Sequence, residues 1–136
     1  MTSASQKPLW QKLQVRNGMR LRLMNPPDGI MEAFRGLPRD IALTSEGIGG
    51  VDAVLAFVAS KADLAVLAEP CVRMLPEDGL LWFAWPRASA HLRTDISRDA
   101  GWEPLRTMGL RPVRAISINE RWSALRFRPS HLVKTR

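Results

Sequence analysis

Few residues in this chain could do covalent or acid–base chemistry. It has two histidines, His91 and His131, and a single cysteine, Cys71. A protein nucleophile needs a base within hydrogen-bond reach. Ser89, His91 and Asp95 supply the right types, but a triad is a matter of geometry, and residues so close along the chain seldom adopt it. Cys71 falls at helical spacing with Leu64, Leu67, Ala68 and Leu75. On such an apolar face a thiol acts as a small hydrophobe. No paired ligands stand at metal-binding spacing. The sequence therefore assigns no catalytic residue and no metal site. Acid–base work by Asp28, Asp95 or Glu120 stays open, because a carboxylate needs only a shifted pKa. Helix caps and ion pairs explain the same three residues more simply.

Recognition is the stronger chemical signal. The stretch "LLWFAWPR" ends a buried run on Trp85, Pro86 and Arg87. An aromatic and a proline make a rigid wall, and an arginine offers a planar fork to a carboxylate or phosphate. The alternative is structural: Trp85 plugs an edge and Arg87 pairs with Asp95 or Glu120. A dinucleotide or S-adenosylmethionine site needs a glycine-rich turn for close backbone approach. "MNPPDGI" (Met24 to Ile30) has one glycine and two prolines. Asp28 there would also repel a phosphate and serves as a helix cap. Glu46 stands about where a ribose-binding acid would. Beside so poor a loop it is a faint signal, and no cofactor is expected.

These residues must be positioned by a regular scaffold. "PLWQKLQV" (Pro8 to Val15) predicts a short helix. "MRLRLM" (Met19 to Met24) alternates and predicts a strand, stopped by the prolines that follow. Asp28 is placed to cap a helix over Ile30 to Arg35, which Gly36 and Pro38 end. Ile41 to Thr44 suits a short strand, and "SEGIGG" after it a flexible loop. "VDAVLAFVA" (Val51 to Ala59) is nearly all apolar, as in a strand covered on both faces. Ser60 and Asp63 stand at capping-box spacing before the next helix, which Pro70 should kink or break. Pro76 to Gly79 reads as a turn, and "LLWFAW" (Leu80 to Trp85) as a second strand covered on both faces. A loop from Pro86 to Arg93 leads to a helical region over Asp95 to Met108, its better half Trp102 to Met108. "RPVRAISI" and "RWSALRF" are strands joined around Asn119 and Glu120 into an antiparallel hairpin. Alternating strands and helices imply crossovers and a mainly parallel sheet. The expected fold is α/β: a three-layer Rossmann-like domain with a mainly parallel sheet that ends in an antiparallel β-hairpin. One conflict remains: Arg20 and Arg22 share a face of a strand that ought to be central.

Composition bounds the rest. The chain has 136 residues, 46% of them hydrophobic and 24% charged, values of a single globular domain. The expected layout is a disordered tail over 1–7, one domain over 8–128 and a basic tail over 129–136. No apolar run approaches the roughly 20 residues that span a bilayer. No signal-like apolar core opens the chain, and a lone cysteine suits a reducing compartment, so a cytoplasmic protein is expected. Net charge is +7, with sixteen arginines against four lysines. Residues 1–27 and 121–136 carry ten basic residues and no acid, while residues 28–120 are net negative. Basic ends attract polyanions such as nucleic acid, although solvated tails of an arginine-rich chain need no such purpose.

By "LMNPPDG", "LLWFAWPR", "RTDIS" and "NERWSALRF", over about residues 8–128, the chain resembles a bacterial family of uncharacterised proteins described only as a domain of unknown function. Members of that family usually have a small residue where Pro26 stands and a lysine where Arg87 stands. Both differences keep the chemistry, a rigid turn and a cation. The resemblance implies a trimmed relative of the class I methyltransferase fold, which also ends in a hairpin. It implies no activity.

In open parallel sheets, ligands bind beyond the carboxyl ends of the strands. That rule gathers Asn25, Asp28, Gly29, Trp85, Arg87, Thr94, Asp95, Asn119 and Trp122 as candidate ligand-binding residues on one lip, with Ser60, Lys61 and Glu120 nearby. The expected function is a non-catalytic module that binds a small anionic ligand or a protein partner there. One alternative is a methyltransferase-like or nucleotide-dependent transferase with a degenerate cofactor loop. Another is a nucleic-acid-associated protein working through its basic termini. The oligomeric state is left open by the sequence.

Overall fold

The computed structural model describes residues 7–44, 50–87 and 94–133. Glu46, Ser89 and His91 lie outside the described residues, as do the tail residues 1–6 and 134–136, so the expectations placed on them do too.

The strands are β1 (Arg20–Met24), β2 (Ala42–Thr44), β3 (Ala53–Phe57), β4 (Leu80–Pro86), β5 (Leu110–Ser117) and β6 (Trp122–Pro129). The helices are α1 (Leu9–Lys12), α2 (Lys61–Met74) and α3 (Glu103–Thr107), with 3-10 helices at Ile30–Phe34 and Ser130–Leu132. One sheet holds all six strands in the order β2-β1-β3-β4-β6-β5. The first four run parallel to one another. β6 runs antiparallel to both β4 and β5. β5 is therefore parallel to the first four, and β6 alone is reversed. The expected three-layer Rossmann-like α/β fold is what the chain adopts.

Every residue of β3 and of β4 is buried, as their unbroken apolar runs require of strands covered on both faces. Alternation of side chains splits the core in two. On one face Leu21, Leu55, Phe57, Trp82 and Trp122 pack under α1 and the first 3-10 helix, with Leu13 and Phe34. On the other, Val54, Phe83, Trp85, Leu125 and Phe127 pack under α2 and α3, with Leu64, Cys71, Trp102 and Leu105. Each such large side chain contributes about 1.5–3 kcal/mol relative to exposure. Trp82 is fully buried, and its Nε1 donates to the Leu13 carbonyl at 3.0 Å. That bond satisfies its one polar atom and ties the segment after α1 to the centre of the sheet.

The Ser60 cap forms, with the return bond from Asp63 reaching the residue before the cap rather than the cap itself. The Ser60 hydroxyl accepts from the Asp63 amide at 3.0 Å, and the Asp63 carboxylate accepts from the Ala59 amide at 3.0 Å. Pro70, however, neither breaks nor ends α2, which runs on to Met74. The carbonyl that Pro70 leaves without a partner belongs to Val66, whose side chain is 70% exposed, so water reaches that side of the helix. Asp28 does not cap the following segment. Gly29 does, at φ 80, with no side-chain cap bond, and the segment is a five-residue 3-10 helix rather than an α-helix. The helical region expected over 95–108 contracts to α3, because Gly101 at φ 104 turns the chain just before it. Nor is the segment after 128 simply a tail. Ser130 donates to the Gly109 carbonyl at 2.8 Å and His131 meets Glu77 at 3.1 Å, which anchors the last 3-10 helix. The Arg20–Arg22 conflict resolves by position: β1 is second from the edge, and the Arg22 charge reaches Cys71 on the inner side of α2.

Candidate functional site

At the carboxyl end of β1, Asn25 takes a left-handed φ of 55 and donates its Nδ2 to the Phe57 carbonyl at 3.0 Å. A short polar residue tolerates that conformation better than most. Here it laces the end of β1 to the end of β3. Pro26 and Pro27 carry no amide hydrogen, so the ladder stops. The Pro27 carbonyl then accepts from the Ile30 amide at 3.3 Å, closing a turn through Asp28 and Gly29. Buried Ile30 and Phe34 hold that turn down on the core.

The facing wall is the β5–β6 turn. The amides of Ile118 and Asn119 donate to the Trp122 carbonyl at 3.0 and 3.3 Å. The Asn119 side-chain oxygen accepts from the amides of Arg121 and Trp122 at 2.8 and 2.9 Å. Beneath it, the Trp122 ring stands edge-on to Phe57, with centroids 5.1 Å apart. Between the two walls lies a crevice of about 490 Å³, floored by Ala59 and Pro86 and bordered by Asp28, Gly29, Glu120 and Arg121. A second hollow of about 430 Å³ lies on the other side of the same loop. It shares Pro27, Asp28, Gly29 and Ile30 and reaches Leu43 and Thr44 at the end of β2. The proline loop is thus a ridge between two depressions, both at the carboxyl edge of the sheet.

The nine predicted residues divide. Asp28, Gly29, Asn119 and Trp122 line the crevice, and Asn25 braces its loop. Arg87 does not line it. Its Nη1 donates to the Ser117 hydroxyl at 2.9 Å and to the Asn119 carbonyl at 3.2 Å, and its amide donates to the Arg121 carbonyl at 2.8 Å. It fastens the end of β4 to the hairpin turn. Trp85 lies on the opposite face of the sheet, its ring 5.7 Å from Trp102. Asp95 accepts from the Lys61 amide at 2.7 Å and so serves the start of α2. The Thr94 hydroxyl accepts from the Ile96 amide at 3.0 Å, a local turn. The single lip is corrected to two faces. The reason is the pleat: Trp85 and Pro86 are successive, so they point to opposite sides, and Pro86 alone joins Trp122, its cross-strand partner.

Pro27, Ile30, Ala59 and Arg121 were missed. Arg121 had a signal, since it stands inside the predicted hairpin turn beside Asn119. Ala59 and Ile30 had none, because they read as core. The charged groups on the rim are two carboxylates and one guanidinium, an amphoteric set.

The site can be tested against the ligands of such folds. A pyrophosphate fits poorly. Two loop residues offer no amide hydrogen, the Ile30 amide is spent on Pro27, and no α-helix starts at the loop. A ligand with both a cation and a carboxylate fits better, with Asp28 and Glu120 for the first and Arg121 for the second. Gly29 permits close approach, since a Cβ there would meet nothing within 4 Å. The remaining chemistry is sparse. Burial pushes the Cys71 thiol up to about 12, so it stays protonated. Among the described residues no three histidine, cysteine, aspartate or glutamate side chains cluster as metal ligands, and no helix is long and apolar enough to cross a membrane.

No family model matches the chain, and no curated protein sequence matches it. Solved structures do. The ribosomal protein L11 methylase of Lactobacillus delbrueckii subsp. bulgaricus is similar at a TM-score of 0.57 and 15% identity, over 89% of this chain and 74% of that one. The N-methyltransferase NodS of Bradyrhizobium japonicum WM9, in complex with S-adenosyl-L-homocysteine, gives 0.52 and 14%, over 93% and 88%. The Haemonchus contortus phosphoethanolamine N-methyltransferase 2, in complex with S-adenosyl-L-methionine, gives 0.53 and 11%, over 93% of this chain and 37% of that one. At these identities the likeness is one of fold: a Rossmann-like domain of the methyltransferase type.

Proposed function

We propose that this protein is a small-ligand-binding module of methyltransferase-like fold, which holds a ligand with both a cationic and an anionic group in the crevice at the strands' carboxyl edge. The observation that carries the reading is the rim itself. Asp28 and Glu120 stand with Arg121 around a 490 Å³ space walled by proline and tryptophan, where fold-level rules expect a ligand. Because Arg87 is committed to the hairpin turn, the rim favours a zwitterion over a simple anion.

S-adenosyl compounds are the first candidates. Two fold neighbours are described as bound to them, and the second hollow across the Gly29 ridge adds room for a nucleoside. When bound, S-adenosylmethionine would supply an electrophilic methyl group. The residues here would only bind and orient: the carboxylates toward the sulfonium or ammonium, Arg121 toward the carboxylate. Binding without catalysis is the reading taken here; the nucleophile in any methyl transfer would have to come from a second substrate. Membership of the bacterial domain-of-unknown-function family is part of the same proposal and rests on its four motifs.

The test is thermal denaturation with S-adenosylmethionine, S-adenosylhomocysteine, adenosine, methionine, glutamate and ATP. A ligand at a hundred times its Kd stabilises by about 2.7 kcal/mol. A shift from the S-adenosyl compounds that Asp28→Asn and Arg121→Gln each diminish is expected. No shift from any ligand at millimolar concentration, or one unchanged in both variants, refutes the reading.

A further inference from the structure

The C-terminal hairpin carries a second feature, away from the crevice. Directly opposed residues on an antiparallel pair share a face. Arg111 opposes Arg128, and Arg114 opposes Arg126. Arg126 and Arg128 are two apart, so they share a side of β6. Arg111 and Arg114 are three apart and in a regular strand would point to opposite sides. A register shift between Pro112 and Arg114 brings them to the same side, as a bulge does. The result is a two-by-two array of arginines on one face of the hairpin, their Cα positions about 5 Å apart across the strands and about 7 Å or more along them.

Like charges directly opposed destabilise a sheet, and this hairpin has two such pairs in succession. Their neighbours neutralise them only in part. Arg128 forms a two-pronged bond to Asp78, both contacts at 2.8 Å. Arg126 donates to neutral Gln14 at 2.9 Å, and its Nε is buried with no hydrogen-bond partner. Burial first, and then the nearby charges of Arg128 and Arg114, weaken the hold of Arg126 on its proton. Arg111 and Arg114 are exposed on β5, the edge strand. Asp52, Glu77 and Asp78 line a hollow with Arg126, so the surplus of positive charge that a polyanion would relieve sits chiefly at exposed Arg111 and Arg114.

We propose that this face of the β5–β6 hairpin docks the phosphodiester backbone of a nucleic acid. Arginine forks match phosphate oxygens bidentately, and nucleic acid presents a phosphate on every nucleotide. Neither hairpin strand places an aromatic side chain among the four arginines, so the contact reads charge and spacing rather than base identity. Of the basic residues over 121–136, Arg126 and Arg128 belong to a folded strand. The surface is independent of the crevice, so either reading can fail without the other.

The test uses the full chain and a fluorescein-labelled 20-nucleotide mixed-sequence RNA, read by anisotropy from 50 to 300 mM KCl. Wild type should bind with a log–log salt slope of about −1.4 to −2, as two or three phosphate contacts on a single strand give. Arg111→Gln/Arg114→Gln should lower that slope by about 1.4 and weaken binding at least tenfold at 100 mM KCl. Its thermal midpoint should hold or rise, since both like-charge pairs are relieved, so lost binding would not mean lost folding. Arg111→Lys/Arg114→Lys should keep the slope. The proposal is overturned by a slope unchanged in the glutamine variant, or by loss in the lysine variant equal to that in the glutamine one. Tighter, arginine-dependent binding to phosphatidylserine vesicles than to RNA would overturn it as well.

Discussion

Substituting alanine at two glycines separates backbone strain from steric conflict. Gly29 has φ 80 and Gly101 φ 104, both in the region that L-residues avoid. At Gly29 a Cβ would meet nothing within 4 Å. Gly29→Ala therefore costs only the left-handed conformation, about 1–2 kcal/mol. At Gly101 a Cβ would lie 3.1 Å from Ile96 Cγ1 and 3.3 Å from Ile96 Cα. The Cα is backbone and cannot swing aside, so overpacking adds about 1–3 kcal/mol, for a total near 2–5 kcal/mol. For a domain of this size each kcal/mol moves the melting midpoint by about 3–5 °C. Differential scanning calorimetry should thus find Gly101→Ala the lower by about 3–15 °C. Gly29→Ala, though the milder change, should also blunt any ligand-induced stabilisation, because Gly29 borders the crevice and strain there shifts its rim. Equal midpoints for the two variants, or a lower one for Gly29→Ala, would refute the reasoning about contacts.

Three further outcomes are expected. The two-pronged bond from Arg128, against the opposite push of burial, holds the Asp78 carboxyl below its usual range; its stabilisation is thus present above the unfolded-state pKa near 4 and is lost as pH falls through the folded value. Stability curves of wild type and Asp78→Asn should accordingly differ near pH 6 and converge toward pH 2, and a constant gap across that range would contradict the assignment. Cys71, buried with its thiol pushed up to about 12, should resist iodoacetamide at pH 8 in the native protein and react fully in guanidinium; rapid native labelling, read by mass spectrometry, would show that α2 opens. Trp82→Phe strands the Leu13 carbonyl that its indole now satisfies, which should cost about 1–3 kcal/mol in urea denaturation, and a loss below 0.5 kcal/mol would mean that water replaces the bond.

The scaffold was legible because its signals are local. "VDAVLAFVA" and "LLWFAWP" carry no polar alternation, and only strands covered on both faces tolerate that. Ser60 and Asp63 announced the start of α2, and Asn119 the hairpin. What failed was anything set by facing. Trp85 belonged to the right strand end but to the wrong side, since one residue of register decides the face. Arg87 chose a neighbouring carbonyl and hydroxyl over open solvent, a choice that depends on the turn brought beside it. Asp28 lost its capping role because Gly29, free to take a positive φ, stands at the cap position directly before Ile30. Ala59 and Ile30 border the crevice only because the loop after β1 and the β5–β6 turn approach each other, and no short window of sequence contains both.

The placement of β6 between β4 and β5 has a consequence for how the molecule comes together. β4 is apolar on both sides, and until β6 arrives one of its hydrogen-bonding margins is bare. β5, though made earlier, has no strand to attach to except β6. A nascent chain halted before Trp122 would present a sticky, unzippered flank to its surroundings, and it is in that interval that a chaperone would have most to do.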